Sequence, residues 1–299
     1  MATPPSKKRL LLTGASGFLG WHLCRQAPPE WEIWGVVFSG TLAIPGITVL
    51  PADIRKYQDL KTVFQTIRPQ AVIHTAAFSD PNYCQLHPHE TEALNVTASI
   101  HLAGLCADLL IPCLFTSSDL VFDGLRAPYC EEDPPNPINF YGEQKWQAEE
   151  GMGNTYPQTI ICRLPLMFGE AGPTAKSFLQ PMLKALRGKG SLSLFVDEFR
   201  TPVSGKTAAQ GLYWALEHIE GIIHLGGRKR ISRYDFGLLL KKCLKSPPAT
   251  LIPCSQKDLP QAAPRPVDVS LNSTKAFSLG YQPPSLKEDL LEALDHRPF

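Results

Sequence analysis

Three glycines, Gly14, Gly17 and Gly20, lie in the segment TGASGFLG, between the apolar run RLLL and an amphipathic stretch. Glycines at such a junction permit a tight turn, a close approach of the backbone to a ligand, and close packing of a helix on a strand. The positive end of the following helix then attracts an anionic group. We therefore predict a strand–loop–helix unit that binds the pyrophosphate of a dinucleotide; a glycine-rich turn without a ligand is the alternative. The predicted contacts are Gly14, Ser16, Gly17, Phe18, Leu19 and Gly20.

The first half of the chain alternates short apolar runs with helical patterns. This alternation is typical of βαβ units, which form a parallel sheet with helices on both faces. We therefore predict an α/β fold of the Rossmann type, with a doubly wound parallel sheet. The strands are predicted at 9–14, 31–38, 47–50, 71–77, 111–118 and 159–169. The helices are predicted at 17–27, 55–67 and 88–110, with a further helix over YGEQKWQAEE.

The alternation becomes less regular after about residue 170. We predict helices at 174–187, 205–219, 232–244 and 285–295, with a proline-rich stretch at 247–266. Residues 1–170 are expected to form the NAD(P)-binding domain. Residues 171–299 are expected to form mainly a smaller substrate-binding lobe, with some later segments returning to the first domain.

Composition excludes several classes of protein. The chain has 29 basic and 28 acidic residues, so it shows no electrostatic signature of nucleic-acid binding. No apolar run reaches the length that spans a bilayer, and RLLLTG is too short for the apolar region of a secretory leader. The eight cysteines contain no C-x-x-C pair, which favours a reduced, cytoplasmic protein without a metal site.

Two Tyr-x-x-x-Lys pairs have the spacing of neighbours on one helix face: Tyr57 with Lys61, and Tyr141 with Lys145. Hydride transfer to a ketone needs a general acid, and a nearby ammonium group lowers the pKa of a tyrosine. Such chemistry lies at the carboxyl ends of parallel strands. Only Tyr141 follows a strand with hydroxyls at its end, in FTSSD. We therefore predict a catalytic pair on this helix and a surface pair on the earlier one.

The end of the second predicted strand bears on the choice of cofactor. That strand ends in VVFSG, without the carboxylate that commonly binds the adenosine ribose of NADH. Phe38 and Ser39 leave room for a 2′-phosphate, but no arginine follows them directly. NADPH is favoured and NADH stays open.

Taken together, the glycine loop, the strand-end serines and Tyr141 with Lys145 resemble the extended short-chain dehydrogenase/reductase superfamily. Within it, the segment TSSDLVFDGLRAPYCEEDPPNPINFYGEQK at 116–145 is similar to dTDP-4-dehydrorhamnose reductases. Blocks at 76–96, 162–170, 197–205 and 263–280 also resemble that family. The resemblance implies an NAD(P)H-dependent reductase of a 4-keto nucleotide sugar, acting in dTDP-L-rhamnose synthesis.

The resemblance also implies roles for individual residues. Ser118 would polarise the substrate carbonyl, Tyr141 would donate the proton, and Lys145 would lower the pKa of that tyrosine and bind the nicotinamide ribose. The other implied cofactor contacts are Asp53, Ile54, Ala76, Ala77, Asn95 and Ser117. Arg200 and Arg265 are predicted substrate ligands, because a guanidinium can bind a diphosphate bidentately. A surface arginine in a proline-rich loop is the alternative for Arg265.

The chain departs from the family pattern at two positions. Leu120 replaces the family's tyrosine, which leaves the sugar specificity open. Some bacterial reductases of the family dimerise around magnesium held by acidic side chains, and His22 stands at one of those positions. We therefore expect no magnesium-linked dimer, although a homodimer of another kind stays open.

Two alternative functions follow from related resemblances. The regulatory β subunit of methionine adenosyltransferase has a similar block, binds NADP and serves chiefly as a partner of the catalytic subunit. A nucleotide-sugar epimerase or dehydratase is the second alternative, because Asp119 could provide the carboxylate that dehydratases place beside the strand-end hydroxyl.

Overall fold

Thirteen strands lie in the part of the chain that the computed structural model describes, which comprises residues 7–38, 45–188, 190–245 and 249–295. They are Lys8–Thr13 (β1), Trp31–Val37 (β2), Thr48–Pro51 (β3), Ala71–His74 (β4), Cys113–Ser118 (β5), Ile160–Leu164 (β6), Met167–Phe168 (β7), Ser191–Phe195 (β8), Phe199–Arg200 (β9), Val203–Ser204 (β10), Ile222–His224 (β11), Ile231–Ser232 (β12) and Thr250–Cys254 (β13).

Seven of these strands form one sheet in the order β11-β6-β5-β4-β1-β2-β3, and every neighbouring pair is parallel. The predicted doubly wound parallel sheet is therefore confirmed. The order reverses between β1 and β4, so the carboxyl ends of these strands border the crevice in which such folds bind ligands. Strand β11 comes from the second half of the chain and extends the sheet beside β6.

Eleven α-helices are present in the described ranges. They are Phe18–Arg25 (α1), Tyr57–Ile67 (α2), Pro81–Leu86 (α3), Pro88–Glu92 (α4), Ala98–Leu109 (α5), Phe140–Thr155 (α6), Leu179–Arg187 (α7), Gly205–His218 (α8), Arg233–Cys243 (α9), Thr274–Ser278 (α10) and Leu286–Asp295 (α11). None of the helices in these ranges is long and apolar enough to cross a membrane.

The predicted helix over 88–110 is confirmed, with a π-helical turn within it. It consists of α4, a π-helical turn at Ala93–Thr97 and α5, and it is preceded by the unpredicted helix α3. Proline at the first position starts both α3 and α4, because proline lacks the N–H that a helix interior requires. The π-helical turn holds Asn95, and such turns are frequent at functional sites.

Two predictions need correction in the second half. The helix predicted from residue 174 begins at Leu179. The proline-rich stretch contains strand β13, which pairs in parallel with β8 in a two-stranded sheet. Pro253 fits there because β13 has only one neighbour, so a missing N–H donor is tolerated.

Alternate residues of the central strands supply two hydrophobic layers. Leu10 and Leu12 face the layer with α1 and α8, whereas Leu11 faces the layer with α2 and α5. All three leucines are fully buried, as expected for a sheet covered on both faces. A separate apolar cluster joins α7, α9 and α11. The boundary near residue 170 between two domains stays a prediction.

Candidate active site

A cleft of about 490 Å³ lies at the carboxyl ends of β1, β2 and β4. Eight of the predicted cofactor contacts line it, and the cleft also contains residues that the sequence did not single out. The predicted lining residues are Gly14, Ser16, Gly17, Phe38, Asp53, Ile54, Ala76 and Ala77. Thr75, Phe78, Glu90 and Arg55 complete much of the remaining wall. Ser39 lies outside the described residues.

The glycines of the loop have different structural roles. Gly14 adopts a φ of +73°, and a Cβ there would lie 2.7 Å from the backbone nitrogen of Ala76. A Cβ on Gly20 would collide with the carbonyl oxygen of Gly14, so α1 could no longer pack against the turn. Gly17 precedes α1 as its N-cap residue, and its N–H donates to the Gly14 carbonyl at 2.9 Å. The loop therefore places the positive end of an eight-residue helix at the cleft.

Phe18 and Leu19 are not part of the cleft wall by their side chains. Leu19 is buried in the apolar layer between α1 and the sheet, and the ring of Phe18 packs against His22. The first N–H groups of a helix have no acceptor within that helix. Any contact of residues 18–20 with a phosphate therefore involves the backbone. The geometry of the loop and the size of the cleft fit a dinucleotide.

Ser118, Tyr141 and Lys145 come together where β5 ends and α6 begins. Asn139 caps α6 by accepting a hydrogen bond from the N–H of Gly142 at 2.9 Å. A Cβ on Gly142 would collide with the carbonyl oxygen of Leu120, so glycine allows α6 to lie directly against the strand end. The three functional side chains are buried, with Tyr141 9% and Lys145 3% exposed.

The phenol of Tyr141 is held in its neutral, proton-donating form. Burial raises its pKa, and the thiol of Cys84 and the carboxylate of Asp119 act in the same direction, whereas a hydrogen bond with Ser118 opposes them. The Ser118 hydroxyl donates to Asp119 Oδ1 at 3.2 Å and accepts from the Leu120 N–H at 3.2 Å. Tyr141 therefore retains its proton at neutral pH.

The ammonium group of Lys145 lies against strand β5. Its Nζ donates to the carbonyl oxygen of Thr116 at 2.8 Å and lies 4.5 Å from the centre of the Phe115 ring. Burial lowers the pKa of Lys145 to about 8, although Glu149 acts in the opposite direction. In this arrangement the lysine does not counter the burial that raises the pKa of Tyr141. Its role in lowering that pKa stays a prediction.

Asn95 and Ser117 have contrasting surroundings. Asn95 is fully buried and ties the cleft to α6: its Oδ1 accepts from the N–H of Phe78 at 2.9 Å, and its Nδ2 donates to Gln144 Oε1 at 2.8 Å. Asn95 does not line the cleft, so it supports the site from behind. Ser117 is also buried, but its Oγ has no hydrogen-bond partner among the described residues. An unpaired buried hydroxyl at a strand end is suited to a polar ligand group.

A buried charge network extends from Ser118 into the second half of the chain. Arg200 Nε lies 3.2 Å from Asp119 Oδ2, and Arg200 Nη2 lies 3.6 Å from Glu198 Oε1. Glu198 also binds Arg233 Nε at 2.9 Å. Arg200 is only 4% exposed and has these partners already, so its predicted role as a substrate ligand stays a prediction. Burial raises the pKa of Asp119 to about 6, against the lowering effect of Arg200.

Arg265 differs from Arg200 in its pairing. Its Nε is buried without a hydrogen-bond partner among the described residues, and burial lowers its pKa while Glu198 raises it. The preceding residue, Pro264, accepts a hydrogen bond from Asn139 at 3.1 Å, which joins this segment to the start of α6. Sequence reasoning missed Arg233 and Glu198, because nothing local marks them as neighbours of Arg265.

His22 lines a surface pocket together with the members of two ion pairs. His22 Nε2 lies 2.9 Å from the carbonyl oxygen of Glu170. The carboxylate of Glu170 pairs with Arg25 at 3.0 Å, and the carboxylate of Glu292 pairs with Lys206. Within the described ranges no group of three or more histidine, cysteine, aspartate or glutamate side chains could hold a metal ion. The absence of a magnesium-linked dimer stays a prediction.

The second Tyr-x-x-x-Lys pair lies on α2, away from the strand ends. Tyr57 is 44% exposed and packs edge-on against His101, and Lys61 is also exposed. The prediction that this pair lies on the surface is confirmed.

Comparison with known proteins assigns the family. A family model described as the RmlD substrate binding domain matches residues 8–298. The chain belongs to this family. The resemblance that its motifs indicated is thereby confirmed, and it extends over nearly the whole chain.

Individual RmlD-like proteins are similar to this chain along most of its length. The Haloferax volcanii protein named "Probable low-salt glycan biosynthesis reductase Agl14" is 32% identical over 286 residues, covering 93% of this chain and 95% of that protein. Methionine adenosyltransferase 2 subunit beta of Xenopus laevis is 28% identical over 286 residues, covering 93% of this chain and 84% of that protein. The structure of dTDP-4-dehydrorhamnose reductase from Bacillus anthracis in complex with NADP matches the present structure with a TM-score of 0.87 and 22% sequence identity. The match covers 97% of this chain and 100% of that chain.

Proposed function

We propose that this protein is an NAD(P)H-dependent reductase that converts the ketone of a 4-keto nucleotide sugar to a hydroxyl group, in the manner of a dTDP-4-dehydrorhamnose reductase. The observation that carries the proposal is the buried group of Ser118, Tyr141 and Lys145 at the end of β5, beside a cleft built on a glycine loop. Membership of the RmlD family and the similarity to a haloarchaeal reductase support it.

The chemistry follows from the state of each side chain. A bound nicotinamide dinucleotide would supply the hydride for the carbonyl carbon. The phenol of Tyr141, kept neutral by burial, donates its proton to the oxygen that becomes the hydroxyl. Ser118 orients that oxygen after its hydroxyl turns away from Asp119. In this proposal Lys145 and Ser117 hold polar groups of the cofactor, and the buried, unpaired hydroxyl of Ser117 supports that role.

The charge network offers a site for the diphosphate of the substrate. Arg200, Arg233 and Arg265 with the carboxylates of Asp119 and Glu198 leave one net positive charge. Arg265 is the member of this group with an unpaired, buried nitrogen. We therefore propose that Arg265 binds the diphosphate and that Arg200 positions Asp119. Residues 171–299 would then contribute most of the substrate-binding lobe. A cytoplasmic location is part of the proposal and agrees with eight free cysteines.

The direct test is a turnover assay. Purified protein with NADPH and dTDP-4-dehydro-6-deoxy-L-mannose should oxidise the cofactor, followed by absorbance at 340 nm. Arg265→Gln should raise KM about tenfold or more with little change in kcat, because a charged hydrogen bond to the substrate is lost. Arg187→Gln, an exposed arginine on α7, is the matched control. Absence of turnover at high protein concentration would contradict the proposal.

A second candidate function has its own observation. The chain is 28% identical to methionine adenosyltransferase 2 subunit beta over 93% of its length. On this reading the protein is a regulatory subunit that binds NADP and a catalytic methionine adenosyltransferase subunit. Co-expression with that catalytic subunit should then give a stable complex on size exclusion and altered kinetics of the partner. A lack of any complex, together with sugar reduction, would leave the reductase.

A further inference from the structure

Arg55 stands at the adenosine end of the cleft, although the sequence showed no arginine directly after β2. It follows the predicted cofactor contacts Asp53 and Ile54, and its side chain lines the same cleft. Its guanidinium carbon lies 4.7 Å from the centre of the Phe38 ring, at the end of β2. The pairing of β2 with β3 brings these two strand ends together. The arginine missing from the sequence after β2 is therefore supplied by the segment after β3.

The guanidinium of Arg55 is held in a fixed orientation by Asp53. Nε donates to Asp53 Oδ1 at 2.7 Å, and Nη2 donates to Asp53 Oδ2 at 2.9 Å. These contacts use one edge of the planar fork, and Nη1 has no hydrogen bond to any described residue. An arginine held in this way keeps donors for a second anion without further loss of side-chain freedom.

The ring of Phe38 is the second part of this arrangement. It lines the cleft and is 66% exposed, so its face is open to a ligand. The aromatic face and the cation together suit an adenosine group that carries a phosphate on its ribose, because the base can pack on apolar surface while the phosphate pairs with Arg55. In dinucleotide folds the ribose 2′ position lies at the end of β2, and a nearby arginine accommodates the 2′-phosphate of NADP.

We infer that Arg55 binds the 2′-phosphate and thereby makes this protein prefer NADPH over NADH. The inference rests on the proposed function only in requiring that the cleft bind a nicotinamide dinucleotide. Asp53 serves as the residue that positions Arg55. Glu90, which also lines the cleft, favours the charged form of Arg55 from a distance. Asp53, Glu90 and Arg55 together carry no excess of positive charge. A preference for NADPH over NADH therefore depends on a direct contact with the guanidinium of Arg55.

The test compares binding, not turnover. Titration calorimetry with NADPH, NADH, 2′,5′-ADP and 5′-AMP measures the contribution of the 2′-phosphate in the absence of any sugar. Arg55→Gln should weaken binding of NADPH and 2′,5′-ADP about tenfold or more, since a charged hydrogen bond to phosphate is lost. It should leave NADH and 5′-AMP within about twofold of the native protein. Arg55→Lys should keep part of the preference, because it retains the charge without the fork.

Lys56→Gln is the matched control, because it removes the same charge from the next residue, which is exposed and outside the cleft wall. It should leave all four affinities unchanged. Equal weakening of NADPH and NADH by Arg55→Gln, or no weakening of either, would overturn the inference. Arg55-dependent binding of 2′,5′-ADP without sugar reduction would instead overturn the proposed reductase function and leave the role of Arg55 in place.

Discussion

Helices α2 and α6 begin with the same local pattern and have different surroundings. Tyr57 and Lys61 on α2 are exposed, whereas Tyr141 and Lys145 on α6 are almost fully buried. The four-residue spacing gives both pairs a common helix face and nothing more. What separates them is the neighbouring structure: α6 starts against the end of β5, with Gly142 packed on the carbonyl of Leu120.

The different surroundings give the same side chains different chemistry. Burial raises the pKa of Tyr141 and lowers that of Lys145 to about 8. A short sequence motif is therefore weak evidence for catalysis until the position of its helix in the fold is known.

Exchanging each tyrosine for phenylalanine tests the contrast directly. Tyr141→Phe removes the proposed proton donor and should lower kcat between about 100-fold and 10,000-fold, while cofactor binding persists. Tyr57→Phe should leave kcat unchanged, because this ring packs against His101 at the surface. Both rates are measured by NADPH oxidation with the keto sugar nucleotide. Equal rates for the two variants would remove Tyr141 from the mechanism.

The buried ion pair that anchors α6 should contribute more to the free energy of unfolding than a partly exposed ion pair. Glu149 binds Arg163 on β6 at 2.8 Å, with both side chains under 5% exposed. Arg163→Met leaves an unpaired buried carboxylate and should lower the free energy of unfolding in urea by about 3–5 kcal/mol. Arg25→Met, which breaks the partly exposed pair with Glu170, should cost about 0–1 kcal/mol.

A double variant tests whether the loss of stability comes from the unpaired carboxylate. Replacing both Glu149 and Arg163 with apolar residues should cost less than Arg163→Met alone, because no buried charge remains unpaired. An additive loss in the double variant would contradict the account of a buried ion pair that holds α6 on the sheet.

The buried histidine near Tyr141 and Lys145 should make the stability of the fold depend on pH. His74 is fully buried next to Phe115, and burial lowers its pKa to about 3, with Lys145 acting in the same direction. The folded state therefore stays neutral at His74 while the unfolded chain takes up a proton below about pH 6.5. This group stabilises the fold fully above pH 6.5, and its contribution falls as the pH falls towards 3, by about 1.4 kcal/mol per pH unit.

His74→Gln should accordingly reduce the slope of unfolding free energy against pH between 6 and 4 by about 1.4 kcal/mol per unit, measured by urea unfolding. An unchanged slope in His74→Gln would show that His74 is not buried in its neutral form.

Lys145 and Lys61 should differ in their effect on the pH dependence of cofactor affinity. Because the pKa of Lys145 is lowered to about 8, its ammonium group loses its proton as the pH rises through that value. A charged Lys145 is the better donor to ribose hydroxyls, so cofactor affinity should fall by up to about tenfold per pH unit above 8. Lys145→Met should bind weakly with no such dependence, and Lys61→Met should behave as the native protein in calorimetric titrations. A pH-independent affinity of the native protein would argue against a role of Lys145 in cofactor binding.

Local sequence patterns were sufficient to predict the parallel sheet and the glycine loop. The period of apolar residues and the placement of glycine depend on neighbours within a few positions, so they can be read along the chain. The same patterns missed the short helix α3, which begins at Pro81. They also missed strand β13, because a strand with a single neighbour tolerates a composition that otherwise indicates a loop.

The glycine loop and the position of Ser118, Tyr141 and Lys145 close to a strand end could be predicted from local sequence patterns. The tertiary structure alone decided that Arg200 pairs with Asp119, that Arg265 keeps an unpaired nitrogen, and that Arg55 faces Phe38. These contacts join residues from different strands and loops. Their distances depend on the order of the strands in the sheet, and no periodicity along the chain encodes that order.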